Sequence, residues 1–401
     1  MKTLLLTREY PPNVYGGAGV HIEYLSAELS QLMDVEVRSF GDQDVDLGSV
    51  CVKGYPFGGD VYARVDKKLK GALETLQTNM VSLTDPVDAD VVHCHTWYSH
   101  FGGILAKISY GIPLVVTTHS LEPLRPWKRE QLGRGYDLSS WVERTALEMA
   151  DAIIAVSEET KADVLRLFDV DADKVKVIYN GIKIDQYKPT TDDSALVKHG
   201  VDPSRPIVLF VGRITRQKGI IHLVNAIEHI NPGAQVVLLA GAPDTPEIAA
   251  EMEASVAEVK KKCDNVIWVQ EMLDKLSIIQ MYSQADVFCC PSIYEPFGII
   301  NLEAMACNTA VVASAVGGIK EVVVDGETGI LVPLKQQTEA PFEPVDPQRF
   351  SKDLADGVNR VLADDALRAS MAEKGMARAR DVFSWSSIAQ QTKSLYESLI
   401  T

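Results

Sequence analysis

Two Rossmann-like, doubly wound α/β domains are predicted by three observations. Short β-branched runs alternate with helix-length segments, the alternation restarts after residue 205, and a connector rich in Asp, Lys, Pro and Thr separates the two series. A chain of 401 residues also exceeds one ordinary core and suggests two domains of ~150–200 residues each.

The first series reads as buried strands at "TLLLT" (3–7), "VEVRSF" (35–40), "DVVHCH" (90–95), "PLVVTT" (113–118) and "AIIAVS" (152–157). Helical segments such as "GVHIEYLSAELSQL" and "SSWVERTALEMA" lie between several of them. The second series comprises "PIVLFVG" (206–212), "AQVVLLAG" (234–241), "NVIWVQ" (265–270), "DVFCCPS" (286–292) and "TAVVASAVGG" (309–318). The connector from Asn180-Gly181 to Pro206 sets the domains at 1–182 and 183–383. The terminal helical segment, 384–401, is expected to return to the first domain.

A formal net charge of −16 argues against a nucleic-acid partner, since phosphate backbones demand excess Lys and Arg. It leaves room for a local basic pocket. The apolar start of "MKTLLLTREYPP" ends at Thr7-Arg8-Glu9, too short for a signal peptide, and reads as a first strand. No apolar run approaches the ~18 residues of a membrane span, and no membrane partner is expected. The six cysteines form no CxxC pair and read as reduced thiols of a cytoplasmic protein. Self-association is left open.

Ligands of parallel α/β sheets bind outside the carboxyl ends of strands, often on helix N-termini, so those ends hold the candidates. After the first strand, Gly16, Gly17 and Gly19 precede a helix. Either an anion-binding loop or a plain tight turn fits, because the third glycine of a dinucleotide fingerprint is replaced by Ile22. In "VGRITRQKGI", Arg213 and Lys218 beside Gly212 and Gly219 make a diphosphate clamp or a solvated basic turn.

In "PSIYEPFGIINLEAMA", Pro296 suits the first position of a helix. Glu295 would then precede it, and the amides of Phe297, Gly298 and Ile299 would face a ligand. Glu303 would lie ~12 Å further along the axis, too far for two carboxylates across one glycosidic bond, which takes ~5–9.5 Å. The pair reads as two grips on one elongated ligand, or as a cap plus a salt bridge. His93 and His95 share a strand face and raise a metal reading, but without a third ligand nearby packing or substrate contact is preferred. His119 ends another strand, where it either reaches a ligand or is satisfied structurally.

Taken together, E-x7-E from Glu295 to Glu303, "GRITRQKG" and "GGAG" resemble the retaining GT-B glycosyltransferases that include bacterial glycogen and starch synthases. The resemblance covers nearly the whole chain. "TREYPPNVYGGAGVH" and "THSLEPLRPWKREQLGRGY" look like the actinobacterial glycogen synthase type, enzymes also described as α-maltose-1-phosphate synthases. It implies a first domain on the acceptor side and a second that binds the nucleotide sugar. Arg213 and Lys218 would hold the donor diphosphate. Glu295, with the amides of Phe297, Gly298, Ile299 and Ile300, would hold sugar and phosphate, and Glu303 the ribose. His119 would contact the donor sugar, and the loop at Gly16 and Gly17 the phosphates.

Catalysis would then rest on His119, Arg213, Lys218 and Glu295, without a cofactor or a required metal, and with ADP-glucose as co-substrate. Many glycogen synthases carry Lys-x-Gly-Gly at the N-terminal loop, whereas this chain has Val14 at the lysine position. Arg125, Lys128, Arg129 and Arg134 cluster directly after His119. A sugar phosphate benefits from such charges more than a neutral glucan end does, so Arg125, Lys128 and His95 are expected at the acceptor. Pairing of these cations with Glu122 and Glu130 is the alternative.

The expected reaction is glucose transfer to glucose 1-phosphate, to a glucan end, or to both. Another donor, UDP-glucose or GDP-mannose, with a different small-molecule or lipid acceptor is the nearest competitor. A nicotinamide oxidoreductase or a non-catalytic nucleotide-sugar sensor represents other classes.

Overall fold

Residues 1–14, 16–57, 61–338 and 342–400 are described by a computed structural model. The chain forms two compact units, one of Met1–Gly181 with Trp385–Thr401 and the other of Ile182–Ser384.

The first unit holds strands β1 (Lys2–Leu6), β2 (Asp34–Phe40), β3 (Asp44–Asp46), β4 (Val50–Tyr55), β5 (Val91–His95), β6 (Leu114–Thr118), β7 (Ala152–Ala155) and β8 (Val175–Val177). Among the described residues they form one sheet in the order β3-β4-β2-β1-β5-β6-β7-β8. All neighbours are parallel except β3 and β4. Side chains alternate between the faces along each strand, so helices must cover both sides. Leu4, Leu6, Val92, Cys94, Leu114 and Val116 pack on one face with Ile104, Ala146 and Leu147. Leu5, Val37, Val91 and Val115 pack on the other, with Leu25 and Leu29 of the helix Gly17–Leu29.

That second face is completed by the C-terminal helix Trp385–Ile400, whose Trp385, Ile388, Ala389 and Tyr396 join the same core. Their spacing repeats every three to four residues, which gives a helix one apolar stripe. His93 lies on this face in register with Leu5 and Val115.

The second unit holds β9 (Ile207–Arg213), β10 (Gln235–Gly241), β11 (Val266–Val269), β12 (Val287–Cys290), β13 (Ala310–Ser314) and β14 (Gly329–Val332). Their order is β11-β10-β9-β12-β13-β14, with every pair parallel. The helix Pro347–Leu362 shows how such a unit is assembled. Asp346 accepts from the Arg349 amide as N-cap, Pro347 opens the first turn, and Phe350, Leu354, Val358 and Val361 form the buried stripe.

Two expectations are corrected. The segment after Gly181 is no free connector, because Ile182 donates to the Phe383 carbonyl at 2.8 Å and Tyr187, Leu196 and Val201 are buried. These apolar anchors tie it to the second unit. The helix expected to open at Pro296 begins instead at Ile299, after Gly298 with φ +102°. Glu295 and Phe297 therefore stand before the helix, and the helical rise does not measure the separation of Glu295 from Glu303.

Strand order reverses between β1 and β5 in the first sheet and between β9 and β12 in the second. At such a switch point adjacent crossovers leave to opposite sides and open a crevice beyond the carboxyl ends. In each unit the candidate residues gather there.

Candidate active site

In the second unit, the switch point sets the loop after β9 against the loop after β12. Lys218, from the first, places Nζ 2.6 Å from Oε2 of Glu295, from the second. The loops approach closely because Gly219 has no side chain. At its φ of +59° a Cβ would run into the carbonyl oxygen of Pro291. Gly317 plays the same part behind Glu295, whose carbonyl also accepts from the Gly318 amide at 3.0 Å.

Ser292 donates to Glu295 Oε2 at 3.3 Å, so the carboxylate is aimed from two sides. Burial is the largest single influence and lowers the Lys218 pKa, but the Glu295 charge and hydrogen bond, with Cys290 and Glu303 nearby, together outweigh it and the pKa is raised. Lys218 therefore remains a cation, which suits a phosphate contact. Arg213, the last residue of β9, is ion-paired with Asp244.

Glu303 lies buried in the helix Ile299–Ala306. Tyr282 donates to its Oε2 at 3.1 Å and Tyr187 also hydrogen-bonds it. Burial raises its pKa, and the tyrosine hydroxyls oppose that shift. Phe297 is a core residue, its ring edge-on to Phe383 with centroids 5.7 Å apart. Asn301 donates to the Gly298 carbonyl, and the Asn301 amide does so as well, which fixes the turn carrying Gly298, Ile299 and Ile300. The unit thus presents a cation, a carboxylate and a held turn around one switch point, a set suited to a phosphorylated sugar.

In the first unit, the loop after β1 leads into the helix that starts at Gly17. The Gly16 amide donates to Oε2 of Glu9 at 2.7 Å, so a carboxylate of the chain already sits at this glycine loop. An anion at that amide would have to replace Glu9.

His95 ends β5, His119 follows β6, and His21 lies on the buried face of the helix Gly17–Leu29. These three come together: Nδ1 of His95 is 3.1 Å from Nε2 of His119, and the His21 and His119 ring centroids are 4.6 Å apart. His21 was not anticipated, although its place four residues after Gly17 points it inward. His93, which shares the strand with His95, lies against its ring with centroids 4.1 Å apart, but both of its nitrogens are turned to other partners. Its Nδ1 meets the Tyr396 hydroxyl at 2.5 Å and its Nε2 meets Thr117 Oγ1 at 2.6 Å, the pattern of a satisfied core histidine.

The basic stretch after His119 divides into unlike parts. Lys128 is buried, its Nζ 2.6 Å from Oε1 of Glu122, whose Oε2 accepts from Ser139 at 2.7 Å. Expected as a cation available to the acceptor, Lys128 is instead committed to a buried ion pair that helps satisfy the Glu122 carboxylate. Arg129 pairs with Asp137 at the surface. Arg125 is partly buried, donates to Ser120 Oγ at 3.2 Å, and leaves its Nε without a partner among the described residues. Arg134 is exposed, so of the partly or fully buried cations of the stretch Arg125 best retains donor capacity for an anion.

Sequence reasoning did not single out Asp244, Ser292, Tyr187, Tyr282 or Asn180. Each is a short-range signal only in the folded chain, where it orients Arg213, Glu295, Glu303 or His21.

Comparisons with known proteins agree across the whole length. Residues 15–186 match glycosyltransferase family 4, and residues 192–341 match glycosyl transferases group 1. The chain is 48% identical over 406 residues to alpha-maltose-1-phosphate synthase of Mycolicibacterium smegmatis, covering 100% of both chains. It is 46% identical to the protein of that name in Mycobacterium tuberculosis, again over 100% of each. Among solved structures, sucrose-phosphate synthase from Thermosynechococcus elongatus is similar at TM-score 0.81 and 26% identity, covering 100% of this chain and 99% of that one. The catalytic domain of starch synthase IV from Arabidopsis thaliana, bound to ADP and acarbose, shares the fold at TM-score 0.73 and 20% identity, with 99% of each chain covered.

Proposed function

This chain belongs to the GT-B glycosyltransferases, and on that premise we propose that it moves glucose from ADP-glucose to glucose 1-phosphate, giving α-maltose 1-phosphate. The observation that carries the reading is the full-length likeness to alpha-maltose-1-phosphate synthase, which leaves no segment of either chain unmatched. The local chemistry supports it. Lys218 is a retained cation beside Glu295, as a diphosphate-sugar donor requires.

In the proposed step the 4-hydroxyl oxygen of the acceptor attacks the anomeric carbon on the face that the ADP oxygen leaves. The new C–O bond forms as the old one breaks, and the hydroxyl proton passes to the departing phosphate. Configuration is retained without a nucleophile of the chain. Arg213 and Lys218 stabilise the charge that grows on the leaving diphosphate. Glu295 holds sugar hydroxyls, Glu303 the ribose, and His119 the donor sugar. Cations of the chain take the place of a metal, so none is required for the chemistry. A cytoplasmic location suits these substrates, and no helix among the described residues is long and apolar enough to cross a membrane.

Elongation of an α-1,4-glucan is the weaker activity on this reading. The test is turnover of the purified chain with ADP-, UDP- and GDP-linked hexoses against glucose 1-phosphate and glycogen, with the product identified by NMR. An α-linked disaccharide phosphate formed fastest from ADP-glucose is expected. A chain that extends glycogen yet ignores glucose 1-phosphate would overturn the acceptor assignment.

A further inference from the structure

Three imidazoles from three separate elements converge in the first unit, an arrangement that a diphosphate-sugar site does not by itself explain. One nitrogen from each of His21, His95 and His119 lies within 4.8 Å of the others. Ligand nitrogens in a tetrahedral zinc site stand about 3.4 Å apart, given zinc–nitrogen bonds of about 2.0–2.1 Å. The His95–His119 separation of 3.1 Å is already of that size, and small ring rotations would close the remainder.

We propose that His21, His95 and His119 form a binding site for one borderline-soft divalent transition metal ion, Zn2+ foremost, at the carboxyl ends of the central strands of the first unit.

The orientation of His21 is the strongest argument. Its Nδ1 lies 2.6 Å from Oδ1 of Asn180, and an amide oxygen can only accept, so the ring hydrogen resides on Nδ1. Nε2 is then a bare lone pair, buried and without a partner among the described residues. A ligating histidine held by a carbonyl through its other nitrogen is how proteins fix the ligand tautomer. With Nδ1 as its ligating atom, His95 carries its ring hydrogen on Nε2, which is buried without a partner among the described residues. Metal between His95 and His119 would replace their shared ring hydrogen, which moves to the far nitrogen of the same ring, so no proton is lost.

Nitrogen-only ligands favour Zn2+, Co2+, Ni2+ or Cu2+ over Mg2+ and Ca2+, which take oxygen. Three ligands leave a fourth position, and His119, only partly buried, is the member through which solvent reaches it. This inference does not rest on the proposed reaction. Since the proposed reaction places the donor sugar at His119 too, a bound metal ion would act as an inhibitor of it.

The test is equilibrium dialysis of the full chain against Zn2+, with Co2+ absorption as the probe of geometry. One ion per chain and the intense visible bands of tetrahedral Co2+ are expected. His21→Ala and His119→Asn should each weaken binding more than tenfold, and Asn180→Ala about 10–100-fold, as for other outer-sphere partners. His119→Asn, at a partly exposed position, serves as the variant whose folding is least at risk. No bound Zn2+ in the wild type, or binding unchanged in both histidine variants, would overturn the proposal.

Discussion

Lys218 Nζ lies 2.6 Å from Glu295 Oε2, so the cation proposed for the donor diphosphate and the carboxylate proposed for the sugar hold one another directly. Each group is thereby positioned by its partner. Lys218→Ala should lower kcat by about 10²–10³, the loss typical of one preorganised electrostatic donor, or ~2.7–4 kcal/mol. The native circular dichroism spectrum should persist but with a lowered thermal midpoint, since the Glu295 side chain, only 9% exposed, loses its counter-ion. Wild-type turnover of Lys218→Ala with ADP-glucose would remove the clamp assignment.

Glu303 is aimed by two tyrosine hydroxyls, which makes Tyr187 and Tyr282 positioning residues. A hydrogen bond to a charged group contributes ~1.5–3 kcal/mol. Tyr282→Phe should therefore raise the KM for the nucleotide sugar by about tenfold while kcat moves far less. A kcat loss without a change in KM would show that the hydroxyl serves something other than donor binding.

The buried His93–Tyr396 contact joins β5 to the C-terminal helix. Tyr396→Phe leaves an imidazole nitrogen unsatisfied in the core, at a cost of about 1–3 kcal/mol. Urea denaturation should show a lower midpoint with an unchanged slope. A midpoint equal to wild type would mean that the ring alone anchors the helix.

Most of the fold was legible because its core strands are continuous apolar runs bounded by turn residues, as in "IVLFVG" and "AVVAS". β3 escaped notice because it is three exposed residues, and β4 because its buried positions alternate with exposed ones, one strand in from the sheet edge. The position of the helix after Glu295 was misjudged for a different reason. Proline favours a first helical turn, but the left-handed turn at Gly298 delays the helix to Ile299, and only Gly317 and Gly318 packed beneath Glu295 and Pro296 explain that geometry. The three-histidine cluster was invisible because sequence separation hid the convergence of His21 with His95 and His119. Lys128 was misread since charge patterning cannot tell a solvated lysine from one buried on a carboxylate.

Glu143 provides a pH test of the segment that carries Lys128. Burial, and then the charge of Glu122, raise its pKa well above the ordinary glutamate value of ~4.3. The folded state thus binds a proton that the unfolded state has released above that value. Its favourable contribution is complete below pH ~4.3 and fades as pH rises toward the folded-state pKa. Glu143→Gln keeps an acceptor for the Glu122 amide, which now reaches Glu143 Oε2 at 2.7 Å, and never ionises. Its thermal midpoint should match wild type near pH 4 and exceed it increasingly toward pH 8. Parallel curves across that range would rule out a protonated Glu143.

Arg125 and Lys128, neighbours in one basic stretch, should fail in different ways. Lys128 and Glu122 expose only 7% and 1% of their side chains, so Lys128→Ala strands a buried carboxylate. Breaking one side of a buried pair typically costs ~3–5 kcal/mol, and the variant should unfold at markedly lower temperature. Arg125 is more accessible, and its guanidinium spends one identified hydrogen bond on Ser120 while Nε has no partner among the described residues. It keeps donors for a phosphate, for which charge-assisted hydrogen bonds contribute most. Arg125→Ala should therefore raise the KM for glucose 1-phosphate at least tenfold, leave that for ADP-glucose within about twofold, and barely shift the thermal midpoint. Arg125→Lys, which keeps the charge but not the fork, should recover part of the loss. Steady-state kinetics of both variants, with each substrate varied in turn, separates the roles. If Arg125→Ala weakened the two substrates equally, the arginine would not belong to the acceptor. If Lys128→Ala stayed as stable as wild type yet lost glucose 1-phosphate, Lys128 would be the acceptor cation and its bond to Glu122 a contact that the substrate replaces.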